Sequence, residues 1–305
     1  MNAAENTLER LTRASQACSR ALQEPPFTEI VPQLGSYAEP AAAFALLSQV
    51  TSRDSGPKLS ALCSSASLAS DANLAERALL LLAAQYAAAQ VPSLPVAERV
   101  KELFADEFEF YAHPTPAWIP NFRNDSVRFR SMARITTLRR FPAGQHQWEV
   151  SGLPRSWVFQ SREVFRLLRH ILLKMGGFSP LFEVHVSSRH KIMLVEKEAC
   201  LSYYRVAKSL EKQPKIKGII QAAWLYGEST AQVSPHLSWL RSVPQNGGAL
   251  VVDLGFCTEA DGFLVGSADR RKLYENGTYR PRLGCVLWAR QDIIEWANRH
   301  PEFDV

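Results

Sequence analysis

The chain has 305 residues, 46% of them hydrophobic and 21% charged, a balance that fits a folded globular protein of one or two domains and excludes a disordered or fibrous chain. The net charge of +5 is unevenly spread: residues 1–121 carry 8 basic and 13 acidic side chains, residues 122–174 carry 11 and 3, and the remainder 16 and 14. The longest apolar run, Ala78 to Ala89, is broken by Gln85 and Tyr86 and is shorter than the roughly 20 residues that span a bilayer.

In chain order, the spacing of Leu8, Leu11, Ser15, Cys18 and Leu22 predicts a first helix, stopped by Pro25-Pro26. A second begins at Pro40 and draws its apolar positions from Phe44, Leu46, Leu47 and Val50. After a loop at Thr51 to Pro57, Asp71 is placed to cap a long helix from about Ala72 to Ala89, and another runs from about Val96 to Phe110. The N-terminal 110 residues therefore read as an antiparallel helical unit. The tract His113-Pro-Thr-Pro-Ala-Trp-Ile-Pro120 is too rich in proline for a helix or central strand. It reads as an extended connector in which Trp118 and Ile119 dock on a domain surface. The charge shift that follows places the domain boundary at 121/122.

From Val127 to Phe141 apolar and basic residues alternate, which predicts one or two strands, with a turn at Pro142-Ala-Gly144 and a return strand from Gln145 to Val150. Ser161 opens a helix ended by Gly176-Gly177. Strands follow at Leu181 to Val186 and Ile192 to Val195. The rest alternates: a helix Glu196 to Lys212, a strand Ile216 to Tyr226, a helix opened by Ser234-Pro235, a strand Ala249 to Leu254, a short helix after Ser267, a strand Leu283 to Ala289 and a final helix Gln291 to Arg299. The expected class is α+β or mixed α/β: a helical segment at 1–121 and a mixed-sheet domain at 122–305.

Five cysteines, none closer than 28 residues to the next, argue for free thiols in a reducing compartment rather than a disulfide framework or thiolate zinc site. The start, MNAAENTLER, lacks the basic-then-apolar order of a secretory signal, so a cytoplasmic protein with no membrane contact is expected. No phosphate-cradling glycine loop, G-x-S-x-G elbow or HExxH helix occurs, and no metal ligand set is assigned. His146, His185 and His190 are the histidines on or beside strands that convergence would bring to one ion, the basis of a third reading as a metal-dependent oxygenase.

The segment from Arg139 and Arg140 through His146 and Trp148 to Arg155 combines guanidiniums, an imidazole and an indole. Such a set suits a planar or anionic ligand, or single-stranded nucleic acid. An alternative to an enzyme is therefore a regulatory protein using the basic 122–174 block on nucleic acid or an acidic partner.

From Ile216 to Arg290 the predicted order is strand, loop, helix, strand, helix, strand, ending in Arg271-Lys-Leu-Tyr-Glu-Asn-Gly277. This order resembles the core of the GNAT-type N-acyltransferases. The resemblance implies acyl-CoA as cosubstrate, with no permanently bound cofactor, lying in a gap between splayed strands Ile219–Tyr226 and Ala249–Leu254. It implies Trp224 and Ser234 as ligand contacts and Tyr274 as the acid that protonates the departing thiolate. Glu196, at a helix start, is the candidate base. Gly227 to Ser234, the place of the family's phosphate loop, has no second glycine and no basic residue. Pyrophosphate needs close backbone approach, so the alternative is a smaller anionic ligand, and the substrate is expected to be a small molecule.

Overall fold

The computed structural model describes residues 3–49, 72–113, 126–187, 194–257 and 267–305. The expected cap at Asp71, the loop from Thr51, the docking of Trp118 and Ile119, and His190 lie outside them. The fold is α+β, in two compact units, 1–142 and 143–305.

The first unit is helical: α1 (Ala3–Leu22), α2 (Phe27–Ile30), a 3-10 stretch (Val31–Ala38), α3 (Pro40–Ser48), α4 (Ala72–Gln90), α5 (Glu98–Ala112) and α6 (Ser126–Thr136), ending in a three-residue strand β1 (Arg140–Pro142). The α4 helix is its centre. Ala75, Ala78 to Ala84 and Ala87 are all buried, because alanines let α1, α3 and α5 approach it from several sides. The inward stripe of α1 is Thr7, Leu11, Ala14 and Cys18, whereas Leu8 faces solvent. That rotates the expected face by about one residue. Arg10 ties α1 to α5 through Glu102 at 2.8 Å and through Asp106.

The α6 helix corrects the sequence reading. Arg128 and Arg130 are two apart and mimic strand alternation. The buried residues, however, include Phe129, Met132, Ala133 and Thr136, with Ser131 and Ile135 beside them, the three-and-four spacing of a helix. The helix packs on α3 and α4, which carries the end of the first unit past 121/122 to Pro142.

Among its described residues the second unit holds five strands: β2 (His146–Ser151), β3 (Leu181–Val186), β4 (Gly218–Ala223), β5 (Leu250–Phe256) and β6 (Arg282–Ala289). Their spatial order is β2-β3-β4-β6-β5. Only β3 and β4 are parallel; β2–β3, β4–β6 and β5–β6 are antiparallel. Between β2 and β3 lie α7 (Arg155–Gln160) and α8 (Val164–Arg169), the latter continued as π-helix to Met175 and stopped by Gly176 at φ 73°. The α9 helix (Glu196–Glu211) crosses from β3 to β4, α13 (Arg290–Asn298) follows β6, and α10 (Glu228–Val233), α11 (Trp239–Asn246) and α12 (Ala268–Glu275) complete the unit.

This order overturns one expectation. The strands β4 and β5 were expected to be splayed neighbours, but β6 lies between them and pairs with both. Gly284 lets the turn after β4 pack against β6. A Cβ at Gly284 would collide with the backbone of Tyr226 and Gly227, so glycine alone allows this approach. No gap for a pantetheine arm opens between β4 and β5.

Candidate functional site

Register assigns the side chains of β2 and β3 to faces. Directly opposed residues share a face, and the pairs are His146 with Val186, Gln147 with His185, Trp148 with Val184, and Glu149 with Glu183. His146 and Trp148 therefore lie on one face, and Gln147, Glu149, Glu183 and His185 on the other.

The first face is core. His146 and Trp148 have no exposed surface. The His146 ring stacks on Tyr203 of α9 at 5.0 Å and Trp148 packs on Phe182 at 5.5 Å. Both were candidate ligand contacts; both are packing residues that no solute reaches. Tyr203 reaches the middle of β4, donating to Gln221 Oε1 at 2.9 Å, and burial pushes its ionisation well up. Arg205, also buried, closes the turn before β2 by donating to the Ala143 carbonyl at 2.8 Å.

The second face changes character along its length. At one end Leu181, Ile220, Leu287 and Leu250 pack under Leu167, Ile171 and Met175 of the α8 segment. Towards the carboxyl ends of β3 and β4 the cover thins, and Ala222, though mid-sheet, is only half-buried. Glu149, Glu183 and His185 gather here. His185 Nε2 lies 3.4 Å from Glu149 Oε1 and 3.8 Å from Glu183 Oε1, and one ligand atom from each residue falls within 4.8 Å of the others. His146, expected to join His185, points through the opposite face. Cys285, on the Glu183 side of the sheet, has its thiol ionisation pushed up by burial and further by Glu183.

A second polar group forms where β4 ends. The strand was expected to run to Tyr226, but Trp224–Tyr226 turn as a 3-10 helix. The presumed phosphate loop is the helix α10. This turn places the Trp224 ring under the guanidinium of Arg270 at 4.9 Å, and Arg270 donates to Ser234 Oγ at 3.2 Å. Beside them the Thr230 and Tyr279 hydroxyls meet at 3.3 Å. Arg270 is 8% exposed, and desolvation lowers its pKa while Tyr279 opposes that shift. The fold thus brings together two of the expected contacts, Trp224 and Ser234, around a residue that sequence reasoning missed. Arg270 sits in the run Asp269-Arg270-Arg271-Lys272, which reads as a solvated helix face. Its one available signal was the distance of three from Ser267, which caps α12 by accepting from the Arg270 backbone N–H.

The remaining candidates do not join either group. Tyr274 lies on the exposed side of α12, 38% accessible. Glu196 is exposed in the first turn of α9, and Arg155 is exposed at the start of α7. Arg139 and Arg140 belong to the first unit, where they donate to the Ser48 carbonyl at 2.9 Å and the Ser131 hydroxyl at 3.3 Å. Cys18, Cys200 and Cys285 are free thiols. Burial pushes Cys18 up to about 12 and Cys200 up to about 11, which disfavours them as nucleophiles. Among the described residues no helix is long and apolar enough to cross a membrane. No family model, curated protein or solved structure matches the chain.

Proposed function

We propose that the second unit binds a small anionic ligand, a carboxylate or phosphate, at the end of β4, with Arg270 as its cationic contact. The observation that carries this reading is the buried guanidinium lying on the Trp224 ring, with the Ser234, Thr230 and Tyr279 hydroxyls around it. An arginine keeps its charge even when desolvation lowers its pKa, and a desolvated guanidinium gains more from an anion than an exposed one does. Stacking on an indole fixes the plane of its donors, so less entropy is lost when an oxyanion is taken up.

Acyl transfer by the expected arrangement has less support. It needs a cleft between β4 and β5, where β6 now lies, and a tyrosine aimed into it, whereas Tyr274 faces outward. The reading kept is thus ligand binding without an assigned reaction.

The test is a thermal-shift and calorimetric panel of phosphate, small mono- and dicarboxylates, and acetyl-CoA at constant ionic strength. A ligand that binds only the folded state, present at 100 times its Kd, stabilises by about 2.7 kcal/mol. A saturable rise with at least one anion is expected, abolished in Arg270→Met and reduced in Arg270→Lys, which keeps charge but loses the planar fork. Arg270→Met binding as well as the parent, or no anion raising the transition, refutes the reading.

A further inference from the structure

We infer that Glu149, Glu183 and His185 form a binding site for one first-row divalent cation of the zinc class, on the sheet face opposite the His146–Tyr203 core. The site is separate from the Arg270 group and does not depend on it.

The first ground is geometric. Two bonds of about 2.0–2.1 Å at a tetrahedral angle hold donor atoms about 3.4 Å apart. His185 Nε2 stands 3.4 Å from Glu149 Oε1 and 3.8 Å from Glu183 Oε1, so small side-chain rotations bring all three donors to bonding distance of a common point. The donors come from two hydrogen-bonded strands in fixed register, Glu149 against Glu183 and Gln147 against His185. Backbone pairing thus holds their spacing, as a precise ligand set requires.

The second ground is the electrostatics of that register. Two carboxylates directly opposite on an antiparallel pair repel one another, and sheets normally avoid the arrangement. A cation between them turns the repulsion into attraction. The third ground is the imidazole itself. His185 Nε2 is shielded from solvent and makes no hydrogen bond with the described residues, although the rest of the ring is partly exposed. A ring nitrogen shielded from water and without a hydrogen bond, aimed at two carboxylates, is placed as a ligand is placed.

The donor set selects the ion. One imidazole nitrogen with two carboxylate oxygens suits Zn(II), Fe(II) or Mn(II); magnesium and calcium prefer oxygen alone, and copper(I) prefers sulfur. Among the three, affinity should follow Mn below Fe below Zn. Three protein donors leave a fourth position. The neighbour on that face, level with His185 by the β3–β4 register, is the half-buried Ala222, whose side chain is too small to fill it. The site is thus of the open kind that keeps a water or a ligand on the metal, rather than a closed structural one.

The experiment uses the full chain without a histidine tag, stripped with chelator and titrated calorimetrically with Zn(II), Mn(II) and Mg(II), with Co(II) as the visible-absorbance probe. One Zn(II) per chain is expected, Mn(II) weaker, Mg(II) undetected, and Co(II) giving the strong d–d bands of a low-coordinate site. Losing a partner that merely supports a ligand costs about 10–100-fold in affinity. His185→Ala and Glu183→Gln should therefore each weaken Zn(II) by about 100-fold or more. His300→Ala, at the exposed His300–Glu302 pair, should change nothing. Metal-free Glu183→Gln should unfold at the same or higher denaturant concentration than the parent, since it relieves the opposed charges. If the trio is instead an imidazolium held by two carboxylates, Zn(II) will not bind at one per chain and Glu183→Gln will lower stability; that pair of results overturns the site. Tight binding unchanged in His185→Ala overturns it equally.

Discussion

Replacing Tyr203 by phenylalanine removes one oxygen from the centre of the second unit and should cost far more than its size suggests. Tyr203 is fully buried, and its hydroxyl donates to Gln221 Oε1 at 2.9 Å. The Gln221 Nε2 is itself buried with no hydrogen-bond partner among the described residues, so the tyrosine is what satisfies that amide from within the described residues. In Tyr203→Phe the acceptor is orphaned where water does not reach, at a cost of about 1–3 kcal/mol. The ring contacts to His146 at 5.0 Å and Trp288 at 5.6 Å are kept, so packing contributes little. With a urea m-value of about 2 kcal/mol/M, the midpoint of the transition should fall by about 0.5–1.5 M. Gln221→Met removes the amide from the other side, and Tyr203→Phe/Gln221→Met removes both partners. The double variant should be less destabilised than the sum of the singles by about 1–2 kcal/mol. It should not return fully to the parent value, because the buried Tyr226 hydroxyl also bonds to Tyr203. Urea melts followed by tryptophan fluorescence give all four corners of the cycle. Strict additivity, or a Tyr203→Phe midpoint equal to the parent's, would refute the view that this hydrogen bond anchors α9 to the sheet.

Two further outcomes are expected. Gly284→Ala drives a Cβ into the backbone of Tyr226 and Gly227 and should cost about 3 kcal/mol or prevent folding, while Gly277→Ala, at φ 76° with open space around it, should cost only about 1–2 kcal/mol; comparable denaturant midpoints for the two would contradict the close approach of β6. The pKa of His170 is lowered from 6.5, by desolvation first and then by Lys174 and Arg166, against the opposing charge of Asp292. The folded state thus refuses a proton that the unfolded chain accepts, and stability should decline as pH falls below about 6.5. In His170→Gln that part of the decline should vanish from pH-dependent urea melts, and an unchanged slope would show that the ring is not held neutral.

Much of the second unit was readable from periodicity. The alternations at 146–151 and 181–186, the apolar runs at 218–223 and 250–256, and the Ser267 and Gly277 boundaries of α12 all appear in the structure within a few residues. These are local signals, set by side-chain faces and caps. The α6 helix was misread because two arginines at strand spacing outweighed Phe129, Met132 and Ala133 at helical spacing. The order of strands was not readable at all. Consecutive strands joined by a helix suggest parallel neighbours, yet β6, last in the chain, pairs with both β4 and β5. Gly284 in β6 signals a close backbone approach, but a single glycine in a strand does not say to what; here it is the turn at Tyr226 and Gly227.

The candidate sites show the same division more sharply. His146 and Trp148 drew attention as an imidazole and an indole beside arginines, but residue type does not say which way a strand residue points. Once one strand is paired, every second residue is committed to one face. His146 and Trp148 are even-numbered and go to the core; Gln147 and Glu149 are odd and go to the face that thins towards solvent. On β3 the same parity sends Glu183 and His185 there. The sequence contains Glu183-Val-His185, two polar residues at strand spacing in an apolar run, and that was the available sign that one side of the strand is not core. What it lacked was register. A slip of one residue between β2 and β3 would put His146 and Trp148, in place of Gln147 and Glu149, on the face of Glu183 and His185, and Glu149 would be lost from the set. The Arg270 group needed still less local information and more global: its residues come from the turn after β4, from α10, from Ser234, from α12 and from Tyr279, spanning 56 positions from Trp224 to Tyr279 counted inclusively. Pairing of adjacent strands fixes the first group and helix packing at the end of β4 fixes the second, so the first is the more rigid. If both bind, the cation site should keep its geometry in the unliganded protein, and the anion site should be the one that tightens on binding.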